Sequence, residues 1–178
     1  MVIIQRGWPG SGKTTLAKRI QKRGQERGKN VTIYSTDDFW LLDDGCYKFD
    51  ASRLDHAHAW NQWRASNWLE THENTDYLII DNCNIKTDHF GYYRDEALRY
   101  IHGIFQCYPK EIESVLEKFQ WVIRPSSVDS CDAVTEAMTV LIKHWNRCIH
   151  NVPLSTIVRM AEQFETSTIQ RFKHSQTL

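Results

Sequence analysis

Neither sign of charge is in excess: 22 basic and 22 acidic residues cancel over 178 positions. A global basic field that would hold the chain on nucleic acid is excluded, so such a substrate would need a local basic groove. Paired cysteine motifs are missing too. Cys46, Cys83, Cys107, Cys131 and Cys148 are odd in number and scattered, with no C-x-x-C. This argues against a disulfide framework or a zinc site and predicts reduced thiols in a cytoplasmic protein. No apolar run is long enough for a bilayer, and the N-terminal one is too short for a secretory leader. The "NVT" sequon at Asn30 then has no export route to act on. Repeats and low-complexity segments are absent. The length and a hydrophobic content of 41% suit one globular domain.

What is present is an alternation of short apolar runs with longer amphipathic stretches. "VIIQ" (2–5), "NVTIYS" (30–35), "DYLIID" (76–81) and "QWVIRP" (120–125) read as strands. Helices are expected over 13–28, 52–70, 88–104, 109–119, 130–148 and 154–165. Asp50 or Ser52, Thr87 or Asp88, Pro109, and Ser130 or Asp132 supply their starts. The segment 36–50 reads as a loop with a turn at Asp44-Gly45. Strand, crossover helix, strand, repeated, predicts a three-layer α/β sandwich around a mostly parallel sheet. Ligands of such sheets bind beyond the carboxyl ends of the strands. The domain is expected over 1–165, with a polar tail at 166–178.

Three polar features fall at those strand ends. The first is "GWPGSGKTT", a G-x-x-x-x-G-K-[ST] loop between a strand and a helix. Gly7, Pro9, Gly10, Ser11, Gly12, Lys13, Thr14 and Thr15 form the expected ATP-binding set. Gly7, Gly10 and Gly12 let the backbone turn its N–H groups onto phosphates, and the helix N-terminus adds its dipole. Lys13 can bridge the β- and γ-phosphates, and the Thr14 hydroxyl can ligate Mg²⁺. The second is Asp81, an acid at a strand end where Mg²⁺ is held. The third is Asp37, placed to deprotonate a hydroxyl beside the γ-phosphate. Its neighbour Asp38 reads as structural, because two adjacent side chains seldom aim at one ligand. "NIKTD" (84–88) departs from the guanine-reading N-K-x-D in spacing and position, so a GTPase is not indicated. "HWNRCIHNVP" (144–153) ends a helix where a lid would sit. Arg147 is the first candidate there to meet transition-state charge, ahead of His150, Arg159 and Arg124.

"GWPGSGKTTLA", "STDDFW", "YKFD…LDHAHAWNQ", "IIDNCN" and "RCIHNVPLSTIVRM" occur in order. In this the chain resembles bacteriophage-type polynucleotide 5′-hydroxyl kinases and related small P-loop kinases, over residues 2–165. The resemblance implies a helical lid and transfer of the γ-phosphate of ATP to a 5′-hydroxyl of DNA or RNA. It implies that Asp37 is the base, Asp81 the metal acid with Asn84 as its motif asparagine, and Arg147 the lid arginine. Two features depart from that pattern. Trp40 stands where the phage enzymes often have an arginine, and a second lid arginine is missing near His150. Residues 102–112 read as an insertion.

Seven tryptophans is a high count for this length. Trp60, Trp63 and Trp68 share one helix and read chiefly as packing residues, whereas Trp40 beside Asp37 reads equally as a stacking surface. His56 and His58 point to different sides of that helix, which argues against a shared metal. His58 and Asn61 share a face and either orient the acceptor or brace the loop. The prediction is an ATP- and Mg²⁺-dependent kinase acting on a polynucleotide 5′-hydroxyl, with Trp40, His58, Asn61 and Asn84 near the substrate. A kinase of a small alcohol, nucleoside or modified base, or a nucleotide-binding module without transfer, stays open.

Overall fold

The structure, a computed structural model, describes residues 1–41, 45–73, 75–100, 102–122, 130–148 and 151–164, with 117–122 and 130–134 described as backbone helix only. Four strands form its sheet: β1 (Val2–Gln5), β2 (Val31–Tyr34), β3 (Tyr77–Ile80) and β4 (Ile104–Cys107). Their order is β2-β3-β1-β4, and every pair is parallel. Ile3 lies opposite Ile79 on one side and Phe105 on the other. Such strands must be covered on both faces, which explains their unbroken apolar character.

Alternation along the strands divides the core. Val2, Ile4, Leu78 and Ile80 pack on α2 (Leu54–Thr71) and α3 (Asp88–Arg99), through Ala65, Trp68, Leu69, Phe90, Tyr93 and Ala97. Ile3 and Ile79 face the other way and meet Ala17 and Ile20 of α1 (Lys13–Gln25). Each buried Ile or Leu contributes about 1.5–3 kcal/mol relative to exposure. The remaining helices, α4 (Lys110–Val122), α5 (Ser130–Asn146) and α6 (Leu154–Glu162), gather around Trp8 and Ile85 through Ile112, Val115, Leu141 and Ile157. The predicted P-loop α/β sandwich is therefore what forms.

Two elements differ from expectation. Residues 120–122, expected as strand, continue α4, and 123–125 lie outside the described residues. The apolar positions Ile112, Val115, Leu116, Phe119 and Val122 keep helical spacing through that point, and this period overrides the β-propensity of "WVI". The fourth strand is Ile104–Cys107 instead, inside the segment that read as an insertion. Here α3 stops at Arg99 and Gly103 leads into the strand, its carbonyl accepting from the Val2 amide at 2.7 Å. The segment 36–50, expected as a plain loop, opens with a 3-10 turn at Thr36–Trp40, and the helix expected from residue 52 begins with another at Ala51–Arg53. The tail 166–178 and Asp44 lie outside the described residues. Among the described residues, no helix is long and apolar enough to cross a membrane.

Candidate active site

The loop between β1 and α1 is held open by backbone geometry. Gly7, Gly10 and Gly12 have φ of 144°, 75° and 98°, conformations that side chains disfavour. The Gly7 amide donates to the Cys83 carbonyl at 2.8 Å, tying the loop to the segment after β3. Lys13 is folded over the loop, its Nζ donating to the Trp8 carbonyl at 3.0 Å. Gly12 caps α1 with no side-chain bond, so a phosphate would complete the helix start. The Ser11 hydroxyl is buried without a hydrogen-bond partner, and aims an unmet donor at the same loop. Pro9 is half-buried, while Thr15 is exposed on the first turn of α1.

Beneath the loop, Thr14 Oγ1 donates to Asp81 Oδ2 at 2.7 Å. Asp81 is buried, and its Oδ1 has no partner. Burial raises its carboxyl pKa above the usual range; the Thr14 bond and Lys13 oppose that, and Asp37 and Asp38 add to it. An ionised carboxylate in this position is incompletely compensated. A hard divalent cation fits it, because Mg²⁺ takes one or two protein oxygens and completes its shell with phosphates and water. Among the described residues no group of three His, Cys, Asp or Glu side chains could hold a metal, which leaves the Thr14–Asp81 pair as the candidate ligand set.

The loop after β2 brings Asp37 to the same crevice. Ser35 caps the 3-10 turn in a reciprocal capping box with Asp38. Asp38 Oδ2 accepts from the Ser35 amide at 3.1 Å and from Arg64 Nη2 at 2.9 Å, so Asp38 holds the loop in shape. Ser35 Oγ donates to the Asp81 carbonyl at 3.0 Å, and the Thr36 amide donates to Asn82 Oδ1 at 2.8 Å. These bonds stitch the loops after β2 and β3 together. Asp37 is exposed at their junction, and its charge helps to push up the pKa of both Asp81 and Cys83. Its Oδ1 accepts from the Tyr47 hydroxyl at 3.1 Å. Burial raises the Tyr47 pKa, and Asp37 raises it further, so the phenol keeps its proton and acts as donor.

Other predicted substrate residues have structural partners. Trp40 is 3% exposed and packs edge-on to Phe39 and Phe49, so its faces are engaged in packing. Asn61 is fully buried; its Nδ2 donates to the Tyr93 hydroxyl at 2.9 Å, and its Oδ1 accepts from Arg64. Asn84 adopts φ 45°, and its Nδ2 donates to the Gln5 carbonyl at 2.8 Å. His58 and His56 are exposed on α2. Trp68 packs in the core, Trp60 lies under the Arg64 guanidinium, and Trp63 is 61% exposed, unlike the packing expected of it. Arg159 is exposed on α6, while His150 and Arg124 lie outside the described residues.

Sequence reasoning missed three residues near the loop. Buried Arg6 donates to the carbonyls of Asn84 and Ile85, both at 2.9 Å, and lies against the rings of Phe90 and Phe164. Tyr47 reaches Asp37 through the chain reversal marked by an antiparallel bridge between Leu41 and Tyr47. Trp8 reaches across to α5, donating from Nε1 to His144 Nδ1 at 2.8 Å. The Arg6 and Trp8 contacts have no local signal, since they join segments 78, 79 and 136 positions apart, and Tyr47 meets Asp37 only through that reversal. Arg147, the expected lid arginine, sits just past α5, with Nη1 donating to Glu111 Oε2 at 3.1 Å.

The chain is similar to several known proteins. Kti12 of Chaetomium thermophilum, solved in complex with ADP-AlF3, is 17% identical, with 77% of this chain and 79% of that one covered and a TM-score of 0.47. The APS kinase CysC of Mycobacterium tuberculosis, in complex with AMPPNP and APS, is 16% identical, with 61% of each chain covered and a TM-score of 0.45. Human NEDD4-binding protein 2 is 40% identical over 86 residues, 48% of this chain but only 4% of that protein. None of these three is described as a bacteriophage polynucleotide kinase. The family model described as chromatin associated protein KTI12 matches residues 1–94, more than half of the sequence and inclusive of Lys13, Asp37 and Asp81, and the chain belongs to that family.

Proposed function

We propose that this chain is an ATP-dependent phosphotransferase that moves the γ-phosphate to a hydroxyl, with a polynucleotide 5′-hydroxyl as the leading acceptor. The observation that carries the reading is the meeting of three carboxyl-end loops: Thr14 on Asp81 at 2.7 Å, with Asp37 close enough to perturb Asp81. In this reading the loop amides and Lys13 bind the phosphates, and Thr14 and Asp81 hold Mg²⁺. Bound there, Mg²⁺ would neutralise charge on the β- and γ-phosphates. Asp37 accepts the proton of the attacking hydroxyl, and Tyr47 orients the carboxylate that does so. Arg147 meets the charge on the transferring phosphate.

A second reading is favoured by the burial of Trp40, Asn61 and Asn84, which are used in packing and so are not available to an acceptor. In that reading the chain is a nucleotide-binding module whose partners read the bound state. The family's description as chromatin associated suits such a module and gives no support to a cytoplasmic location.

Incubation of the purified chain with γ-labelled ATP, Mg²⁺ and a panel of 5′-hydroxyl DNA and RNA, nucleosides and small alcohols separates the two. Label on an acceptor is the expected result. Nucleotide binding with no labelled product under any acceptor would replace the transferase with the module.

A further inference from the structure

Glu111 is the junction of a cluster of which the mechanism above uses only Arg147. Its Oε2 accepts from His144 Nε2 at 2.8 Å and from Arg147 Nη1 at 3.1 Å, and Lys143 Nζ lies 3.9 Å from Oε1. His144 is fully buried, and its other nitrogen takes the Trp8 indole N–H. Trp8 belongs to the phosphate loop, so loop, imidazole, carboxylate and guanidinium form one continuous chain of hydrogen bonds.

The same helix end lies directly on the loop. A Cβ added to Gly10 would overlap the His144 carbonyl oxygen. That carbonyl also accepts the Arg147 amide at 3.1 Å. Cys148, the next residue, is near enough to Tyr47 and Cys83 to influence the ionisation of both. Arg147 is therefore held at the rim of the crevice by its backbone, while its guanidinium is engaged by Glu111 on the start of α4. Both partners are 44% exposed, so the pair is screened and weak enough for a more highly charged anion to displace.

We propose that Glu111 is a specificity-determining residue: it competes with the terminal phosphate of a bound nucleotide for Arg147, and so sets how strongly the site favours a triphosphate over a diphosphate. The inference rests on the reading that Arg147 meets that phosphate. A γ-phosphate brings enough charge within reach to take the guanidinium, and a diphosphate leaves it on Glu111. The His144 bond keeps the carboxylate in place in both cases, because the imidazole is fixed from behind by Trp8.

The test titrates the full chain with Mg²⁺ and either ADP or a non-hydrolysable ATP analogue, by calorimetry, for wild type, Glu111→Gln, Arg147→Ala and the double variant. Glutamine keeps an acceptor for His144 Nε2, so the fold is retained while the charge is lost. Glu111→Gln is expected to raise affinity for the triphosphate analogue about two- to fivefold and to leave ADP affinity unchanged. The gain should vanish in the double variant. If Glu111→Gln leaves both affinities unchanged, or shifts them equally, while Arg147→Ala still weakens the triphosphate alone, competition by Glu111 is overturned. If Arg147→Ala alters neither affinity, the phosphate role of Arg147 falls, and the competition falls with it.

Discussion

The Trp8 indole donates to His144 Nδ1 at 2.8 Å, and this single bond fixes the protonation state of the imidazole. An indole nitrogen can only donate, so Nδ1 must be the acceptor and Nε2 must carry the proton. That proton goes to Glu111. A neutral histidine thus connects the phosphate loop to a carboxylate on another helix. Burial works in the same direction, lowering the His144 pKa below its ordinary value against the pull of Glu111.

Acid should therefore undo this joint before it reaches the carboxylates. His144 is depressed in the folded state, so the unfolded chain binds the extra proton more readily. Its contribution to stability is full above the unfolded value of about 6.5 and is lost as pH falls through the lowered folded value. Glu111, held below the usual carboxylate range chiefly by its bond from His144, loses its contribution only in a more acidic window. Thermal denaturation of wild type between pH 7 and pH 5 should show a falling melting temperature. The His144→Gln variant should show a shallower limb, with the remainder left to His102, whose pKa burial also lowers; an equally steep limb there would show that His144 does not contribute to it.

Two glycines with nearly the same φ should respond very differently to alanine. Gly10 and Gly28 have φ of 75° and 71°. The backbone penalty for a left-handed alanine is about 1–2 kcal/mol in both. At Gly28 nothing lies within 4 Å of an added Cβ, so the penalty stops there. At Gly10 the methyl group would overlap the His144 carbonyl, which a helix end cannot move far. Gly28→Ala should lose only that backbone term in chemical denaturation, whereas Gly10→Ala should lose several kcal/mol and its ATP binding. Equal losses would mean that α5 does not rest on the loop.

The placement of the glycine loop, Asp37 and Asp81 just beyond the strands was legible because its signals are local: a motif between a strand and a helix, and acids at strand ends. The α4 boundary was not, because the apolar spacing from Ile112 to Val122 supports a helix while "WVI" on its own supports a strand. β4 was hidden for a related reason. Its four residues are all half-buried, and only pairing with β1 makes them a strand. Asn61 and Asn84 looked like ligand residues because buried asparagines and motif asparagines share one alphabet; their partners, Tyr93 and Gln5, lie 32 and 79 positions away. Trp8 and Arg6 were out of reach of any local reading for the same reason, and Tyr47 meets Asp37 only because the chain reverses between them.

Asp81 is a position where function and stability should separate. Its folded pKa is raised chiefly by burial, so the ionised form costs stability at neutral pH, and that cost appears as pH rises through the window above its unfolded value. Asp81→Asn keeps an oxygen to accept from Thr14 and removes the charge. The nucleotide-free protein is expected to gain about 0.5–2 kcal/mol of stability. The same variant should lose the extra thermal stabilisation that Mg²⁺ adds to ATP. A variant less stable than wild type, still stabilised by Mg²⁺ with ATP, would remove Asp81 from the metal site.

Asp37 and Tyr47 should split catalysis in graded fashion. Asp37 is exposed and far from the phosphate loop in sequence, so replacing it by asparagine leaves the loop, Lys13 and the Thr14–Asp81 pair intact. Asp37→Asn should keep ATP affinity and lose transfer to whichever acceptor the panel identifies, because an amide accepts no proton at neutral pH. Tyr47→Phe removes one hydrogen bond to a charged oxygen, worth about 1.5–3 kcal/mol, and should slow turnover by about tenfold or more with little change in KM for ATP. A Tyr47→Phe enzyme with unchanged turnover would make the 3.1 Å contact structural only. Full transfer by Asp37→Asn would move the base elsewhere in the crevice.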